Sequence, residues 1–232
     1  MPSHITHILL AQDIYNEGNL TEINQEYFIT FSLGADLSKY SKVRKLSHKV
    51  KQDELILNMC DYLKKKQLTS DKELIATIYG HIAHMIIDNT IHPLIYQETR
   101  ECKNKKLKNH TLIEGYYDSY LLKEKLGINI QDIKLKKYLQ GRVTKVSKML
   151  DYAYYKTYGY QHISKYYRLM LFLYRHYDWL YQILGIKFLK KFSGYQQFEK
   201  DNFNSLNSKE FMKLYNKSIK EVLISFKKIK LN

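Results

Sequence analysis

The most informative segment of this 232-residue chain reads Gly80-His-Ile-Ala-His-Met-Ile-Ile-Asp-Asn-Thr-Ile-His-Pro93. Because each residue of an α-helix turns by about 100°, the side chains of His84, Asp88 and His92 share one stripe of a helix. The isoleucines and the methionine between them indicate that this helix is otherwise built for burial. Ionisable side chains beside an apolar core need partners, and a divalent cation satisfies several at once. The segment therefore predicts a metal site, with packed core histidines and an exposed aspartate as the alternative interpretation.

A second pairing of histidine with a carboxylate follows shortly afterwards. His110-Thr-Leu-Ile-Glu114 places an imidazole and a carboxylate at i and i+4 on one helical face. Alone, such a pair is typical of a solvated surface contact, but its position soon after His92 favours a shared site. Further ligand-type side chains stand at isolated positions, namely His4, His7, Asp36 and His48.

Helical periodicity extends along most of the chain, because apolar residues recur at three- and four-residue spacing. No stretch alternates polar and apolar residues for long enough to predict a sheet, so we expect an all-α fold. Neither an internal repeat nor a linker divides the sequence. We therefore predict a single domain over residues 1–232, with a metal-ligand half at 1–118 and a basic, aromatic helical half at 119–232.

The predicted helices lie near residues 5–16, 21–31, 47–66, 71–92, 110–126, 129–158, 160–189 and 208–228. Asp71 and Asn109 are predicted to cap the helices that follow them. Pro93 is predicted to end the fourth helix, since the residue before a proline is pushed out of the helical conformation. A polar, lysine-rich loop is expected over residues 98–109.

The composition is that of a globular protein, with 44% apolar and 26% charged residues, and it excludes a disordered chain. The formal net charge is +15. Residues 1–118 hold 15 basic and 15 acidic side chains, so the whole net charge lies in residues 119–232. This basic half suits peripheral contact with an anionic membrane, although a simply solvated face is the alternative.

The sequence predicts a cytoplasmic protein without a transmembrane segment. Residues 1–10 contain neither Lys nor Arg and only a brief apolar run, which is unlike a signal peptide. The aromatic stretch 166–189 carries several charged side chains that would be costly in hydrocarbon, so we predict a buried helix there. Cys60 and Cys102 are the only cysteines, which favours a reducing compartment over a disulfide framework.

The order of the histidine and carboxylate motifs is familiar. It runs Met1-Pro-Ser-His-Ile-Thr-His7, Leu33-Gly-Ala-Asp36, Leu46-Ser-His48, Tyr79-Gly-His-Ile-Ala-His84, Asp88, His92-Pro93 and His110…Glu114. This series resembles the zinc-dependent phospholipase C family, in particular its leaderless bacterial members described as phospholipase C/D-domain proteins. The likeness covers about the first half of the chain in motifs. It implies an all-α fold of the phospholipase C and P1-nuclease type with three clustered zinc ions.

The same resemblance implies a role for each matched residue. The first zinc would be held by His48, His84 and Asp88, and the second by His92, His110 and Glu114. The third would take His7, with Asp88 as the bridge. Asp36 matches the catalytic aspartate of the family, as a general base or a further ligand. His4 and His81 stay open as additional ligands.

By this resemblance we expect a phosphodiesterase that uses metal-activated water on the head-group bond of a phospholipid, with two or three zinc ions. One alternative is a nuclease or nucleotide phosphohydrolase of the same fold, so nucleic acid is not excluded as a substrate. Another alternative is a non-catalytic helical binding protein that a metal stabilises. A site with an open coordination position would favour catalysis, and a closed four-ligand site would favour a structural role.

Overall fold

The computed structural model describes residues 4–47, 50–101, 110–176 and 206–228, and within these ranges the regular structure is helical, without strands. The all-α prediction is therefore confirmed. The α-helices are α1 (His4–Glu17), α2 (Gln25–Phe31), α3 (Arg44–Ser47), α4 (Gln52–Lys65), α5 (Lys72–Glu101), α6 (His110–Leu126), α7 (Val143–Tyr158), α8 (Ser164–Arg175) and α9 (Ser208–Lys228). Short 3₁₀ segments span Gly34–Ser38, Ile130–Asp132 and Leu135–Lys137.

Helix α5 is the centre of the fold. Its 30 residues extend for about 45 Å, and it packs against α1, α2, α4, α6, α7 and α9. Apolar and small residues surround its middle on nearly all sides, which is the pattern of a buried helix. The stripe that carries His84 and Asp88 therefore lies in the interior of the protein. None of the described helices is long and apolar enough to cross a membrane.

Pro93 does not end α5, so the predicted boundary at residue 92 is wrong. The helix continues to Glu101, although a proline in a helix interior costs about 3 kcal/mol because the carbonyl four residues earlier loses its partner. That carbonyl belongs to Asn89, which is solvent-exposed. Ile91 and Ile95 are buried on either side of the proline, and their packing holds the helix together. Of the predicted loop 98–109, residues 98–101 are helical and 102–109 lie outside the described ranges.

The predicted helix 129–158 is also wrong in its first half, because α7 begins only at Val143. The chain before it passes close to α2, where the Gly141 amide donates to Thr30 Oγ1 at 2.8 Å. A Cβ at Gly141 would lie only 3.0 Å from the Thr30 side chain. This long-range contact replaces the helical hydrogen bond that Gly141 would otherwise make.

Two further predicted helices differ in their bounds within the described residues. The predicted helix 47–66 is interrupted before α4 by Lys51, whose φ of 60° is left-handed. The predicted helix 160–189 corresponds to α8, and residues 177–189 lie outside the described part of the chain. The Asp71 cap is confirmed, because its Oδ1 accepts from the amides of Glu73 and Leu74 at 3.1 Å. Asn109 lies outside the described residues.

Backbone contact between α2 and α5 positions the interior stripe. A Cβ at Gly80 would lie 2.6 Å from the carbonyl carbon of Phe31 and 2.8 Å from the amide nitrogen of Ser32. Only glycine permits so close an approach. The approach brings the end of α2 against the next turn of α5, where His84 projects.

Candidate metal centre

Four elements bring six of the predicted ligand residues into two clusters. The first cluster consists of His7 from α1, Asp36 from the Gly34–Ser38 segment and His84 from α5. The second cluster consists of His92 from α5 with His110 and Glu114 from α6. Within each cluster, one potential ligand atom of each residue lies within 4.8 Å of the others. His48, predicted as a ligand, lies outside the described residues.

The carboxylate of Asp88 lies between the two clusters. Its Oδ1 is 3.1 Å from His7 Nε2 and 3.6 Å from His92 Nε2, and its Oδ2 is 3.4 Å from His84 Nε2. Asp88 is 8% exposed. One buried carboxylate therefore contacts imidazoles that belong to both clusters.

A hydrogen bond of the second ring nitrogen fixes the orientation of His84. Its Nδ1 donates to the carbonyl oxygen of Ser32 at 3.1 Å, which directs Nε2 towards Asp88. Such a second hydrogen bond is what metal-ligating histidines use to set their tautomer and ring orientation. Gly34 packs against the ring, since a Cβ there would lie 2.5 Å from His84 Cγ.

The first cluster also contains an imidazole nitrogen without a protein partner. The His7 side chain is 1% exposed, and its ring lies 4.5 Å from that of His84. Its Nε2 contacts Asp88, whereas its buried Nδ1 makes no hydrogen bond. A buried polar atom in this state is costly unless something else satisfies it.

In the second cluster, the unsatisfied buried atoms are His110 Nδ1 and the two oxygens of Glu114. His110 Nε2 lies 2.8 Å and His92 Nε2 3.4 Å from Glu114 Oε1. Both Glu114 oxygens are buried, yet neither has a hydrogen bond of proper geometry. Two imidazole nitrogens and a carboxylate that converge in this way suit a cation placed between them. Histidine nitrogen and carboxylate oxygen are ligands that zinc accepts, so the residues present fit this metal.

The charges in the second cluster favour protonated imidazole when no metal is bound. Burial by itself would lower the pKa of His92, but the carboxylates of Asp88, Glu114 and Asp36 outweigh burial and raise this pKa to about 9. For the acid Glu114 the directions are reversed. Burial by itself would raise its pKa, but its contacts with His110 and His92 lower the pKa overall. Protons thus supply the positive charge that a divalent cation would supply.

This protonation predicts a pH dependence of zinc binding. A ligand histidine must lose its proton, so the apparent affinity of the second cluster should rise about tenfold per pH unit for each proton displaced. For His92 the rise should continue to about pH 9, where its pKa lies. Ordinary histidines, with a pKa near 6.5, would give a plateau above about pH 7. Chelator competition between pH 6.5 and 9.5, corrected for protonation of the chelator, measures how steeply the apparent zinc affinity rises with pH. A plateau above pH 7.5 would contradict the assigned charge state.

His81 is a core histidine and not a ligand. Its Nδ1 donates to the Thr77 carbonyl at 2.9 Å, and its Nε2 accepts from the Tyr167 hydroxyl at 3.0 Å. Burial lowers the pKa of His81 to about 4, so the ring is neutral with both nitrogens in use. His4 packs beside the ring of Tyr174 at 4.9 Å and belongs to neither cluster.

Three groups that contact a candidate ligand or its neighbour in the chain were not identified from the sequence. They are the Ser32 carbonyl, the close approach of Gly34, and Asp118 of α6. The first two depend on tertiary packing and leave no pattern in the sequence. Asp118 follows Glu114 by four residues and was therefore detectable as a continuation of the same helical stripe.

Residues 4–172 match the protein family described as zinc dependent phospholipase C. The chain belongs to this family. The match spans all the described residues of both clusters as well as Asp88, and it confirms the resemblance predicted from the motifs. No curated protein and no solved structure matches the chain. Members of the zinc-dependent phospholipase C family are all-α proteins, as this chain is in its described residues.

Proposed function

We propose that the protein is a zinc-dependent phosphodiester hydrolase of the phospholipase C type, in which water cleaves a phospholipid between the glycerol and the phosphate and releases the phosphorylated head group. The observation that carries this proposal is the position of Asp88, whose carboxylate contacts His7, His84 and His92. A carboxylate shared in this way offsets the repulsion between closely spaced dications. Closely spaced metal ions are suited to phosphoryl chemistry, because they can stabilise both the attacking and the leaving oxygen.

The zinc assignment follows the family. It keeps the second cluster together on one ion and divides the first cluster between two ions. The proposed ligands are His84, Asp88 and His48 for one ion, His92, His110 and Glu114 for a second, and His7 with Asp88 for a third. We expect two or three ions per chain. When bound, zinc lowers the pKa of a water ligand to about 7 and neutralises charge on phosphoryl oxygens.

The centre is most accessible from the second cluster. The side chain of His110 is 31% exposed and that of His92 18%, whereas His7 and His84 are almost fully buried. Tyr96 is half exposed, and its ring lies 4.7 Å from that of His110 and 5.8 Å from that of His92. A phosphodiester would therefore enter beside Tyr96, which we propose contacts the substrate.

Asp36 is the proposed catalytic residue. It is 3% exposed, and it belongs to the first cluster together with His7 and His84. This position lets its carboxylate take the proton of an attacking water, or hold the first ion as a further ligand. Either role requires the ionised carboxylate.

Substrate turnover by the zinc-reconstituted protein tests the proposal. Vesicles of phosphatidylcholine, phosphatidylethanolamine and an anionic phospholipid are compared with single-stranded DNA, and the products are identified by mass spectrometry. We expect a released phosphorylated head group, loss of turnover with a chelator, and recovery with zinc. Cleavage of DNA without lipid turnover would support the nuclease alternative instead. Full zinc content without turnover of any substrate would support a non-catalytic, metal-stabilised binding protein.

Peripheral contact with anionic lipid is a further part of the proposal. The exposed lysines of α9 contribute to the positive charge of the second half, and they include Lys209, Lys213, Lys217, Lys220, Lys227 and Lys228. Each basic side chain near an anionic surface adds about 1 kcal/mol, an attraction that salt screens. In the turnover assay, anionic vesicles should therefore show a preference that disappears at high salt.

A further inference from the structure

A buried carboxylate of α6 caps the first turn of α1. Asp118 Oδ1 accepts from the amide of Thr6 at 2.9 Å and from its hydroxyl at 2.7 Å. Asp118 is 1% exposed and Thr6 is fully buried. The amides at a helix N-terminus lack helical partners, so an acidic side chain is favourable there.

This cap joins two elements of the candidate metal centre. On α1, Thr6 immediately precedes His7, which belongs to the first cluster. On α6, Asp118 lies one turn after Glu114, which belongs to the second cluster. A second connection between these ligands runs through α5, where Asp88 contacts His7 and His92, and Asp13 of α1 also pairs with Lys125 of α6 at 2.5 Å. The cap therefore links His7 to the second cluster by a route that does not involve Asp88.

We infer that Asp118 is a positioning residue, which holds His7 where its imidazole can reach a zinc ion shared with Asp88. This inference rests on the proposed zinc assignment. Zinc–nitrogen bonds are about 2.0–2.1 Å long, so a shift of α1 by a fraction of an ångström changes whether His7 reaches the ion. Both Thr6 bonds end on one carboxylate oxygen, which limits the freedom of α1 to slide along α6.

The chain contains a matched control. Asp151 accepts from the amide of Ser164 at 2.8 Å and, through its other oxygen, from the Ser164 hydroxyl at 2.8 Å. This second cap ties α7 to α8, and neither helix carries a residue of the two clusters. Loss of the Ser164 hydroxyl bond should affect folding about as much as loss of the Thr6 hydroxyl bond. Only loss of the Thr6 bond should affect metal binding.

Zinc affinity in the variants Thr6→Val, Thr6→Ser and Ser164→Ala tests the inference. Valine has the shape of threonine without the hydroxyl, and serine keeps the hydroxyl. By chelator competition, we expect Thr6→Val to weaken one zinc equivalent at least tenfold, Thr6→Ser to retain wild-type affinity, and Ser164→Ala to leave every equivalent unchanged. Circular dichroism confirms that each variant is folded under the conditions of the measurement. In a His7→Ala background, Thr6→Val should have no further effect on zinc affinity.

The outcomes separate this inference from the proposed function. If the wild-type protein binds no zinc after reconstitution, both are overturned. If it binds zinc and Thr6→Val lowers only the melting temperature, as Ser164→Ala does, the positioning role is overturned and the zinc centre stands. A further loss of affinity from Thr6→Val in the His7→Ala background would also overturn the role, because the cap would then act on another ligand.

Discussion

Asp88→Asn should leave the helical fold intact while it removes at least one zinc ion and nearly all phosphodiester hydrolysis. Asparagine has almost the shape of aspartate, but its neutral amide is a poor bridging ligand. The substitution would also remove the shared negative charge beside His7, His84 and His92, which lie 3.1–3.6 Å from the carboxylate. Loss of a group that only supports a ligand already costs 10- to 100-fold in activity or metal affinity. We therefore expect turnover to fall by more than about 100-fold.

The measurement combines zinc analysis, circular dichroism and turnover of the phospholipid substrate. Asp61→Asn is the control, because Asp61 is a partly exposed carboxylate of α4 that pairs with Lys65 at 2.8 Å, away from both clusters. It should retain full zinc content and turnover. If Asp88→Asn lowered thermal stability in step with metal loss and the wild-type protein had no activity, a structural metal would be the better account. Full zinc and normal turnover in Asp88→Asn would remove the bridging role.

Gly34→Ala should disrupt the first cluster and destabilise the protein. Gly34 has a φ of +43°, and an added Cβ would lie 2.5 Å from His84 Cγ and 2.7 Å from His84 Cβ. The His84 ring cannot retreat easily, because it is buried and its Nδ1 donates to the Ser32 carbonyl. Overpacking of this kind costs about 1–3 kcal/mol, and the left-handed backbone adds about 1–2 kcal/mol. We expect loss of the zinc that His84 binds together with this decrease in the free energy of unfolding.

Gly127→Ala separates the backbone effect from the steric one. Gly127 also has a left-handed φ, of +66°, but an added Cβ would meet nothing within 4 Å. It should therefore show only the backbone cost of about 1–2 kcal/mol, with full zinc content. Denaturant unfolding and zinc analysis of both variants provide the comparison. Equal effects of the two substitutions on zinc content would contradict the packing of Gly34 against His84.

The ligand stripe of α5 was predictable because helical spacing is a local property of the sequence. His84, Asp88 and His92 follow one another at four-residue intervals, and nothing outside the helix is needed to place them on one face. The end of the helix was not predictable in this way. Pro93 disfavours a helix locally, and only the burial of its neighbours on α5 explains why the helix continues.

The distinction between ligands and core histidines also depended on tertiary contacts. His81 lies only about 60° from the stripe. Its Nε2, however, accepts a hydrogen bond from the hydroxyl of Tyr167, which is far away in the sequence. Glu114 shows the opposite case, because its buried carboxylate faces only the imidazoles of His92 and His110, which are themselves candidate ligands. Which imidazole retains a free nitrogen is decided by packing between helices. His48 stays a prediction, since it lies outside the described residues.

Anomalous diffraction at the zinc absorption edge, from crystals of the zinc-reconstituted protein, tests the central claim most directly. The account predicts one peak bonded to His92, His110 and Glu114 at distances of about 2.0–2.2 Å. It predicts at least one further peak bonded to both His84 and an oxygen of Asp88. Absence of zinc from both positions, or a single peak that does not touch Asp88, would contradict the account.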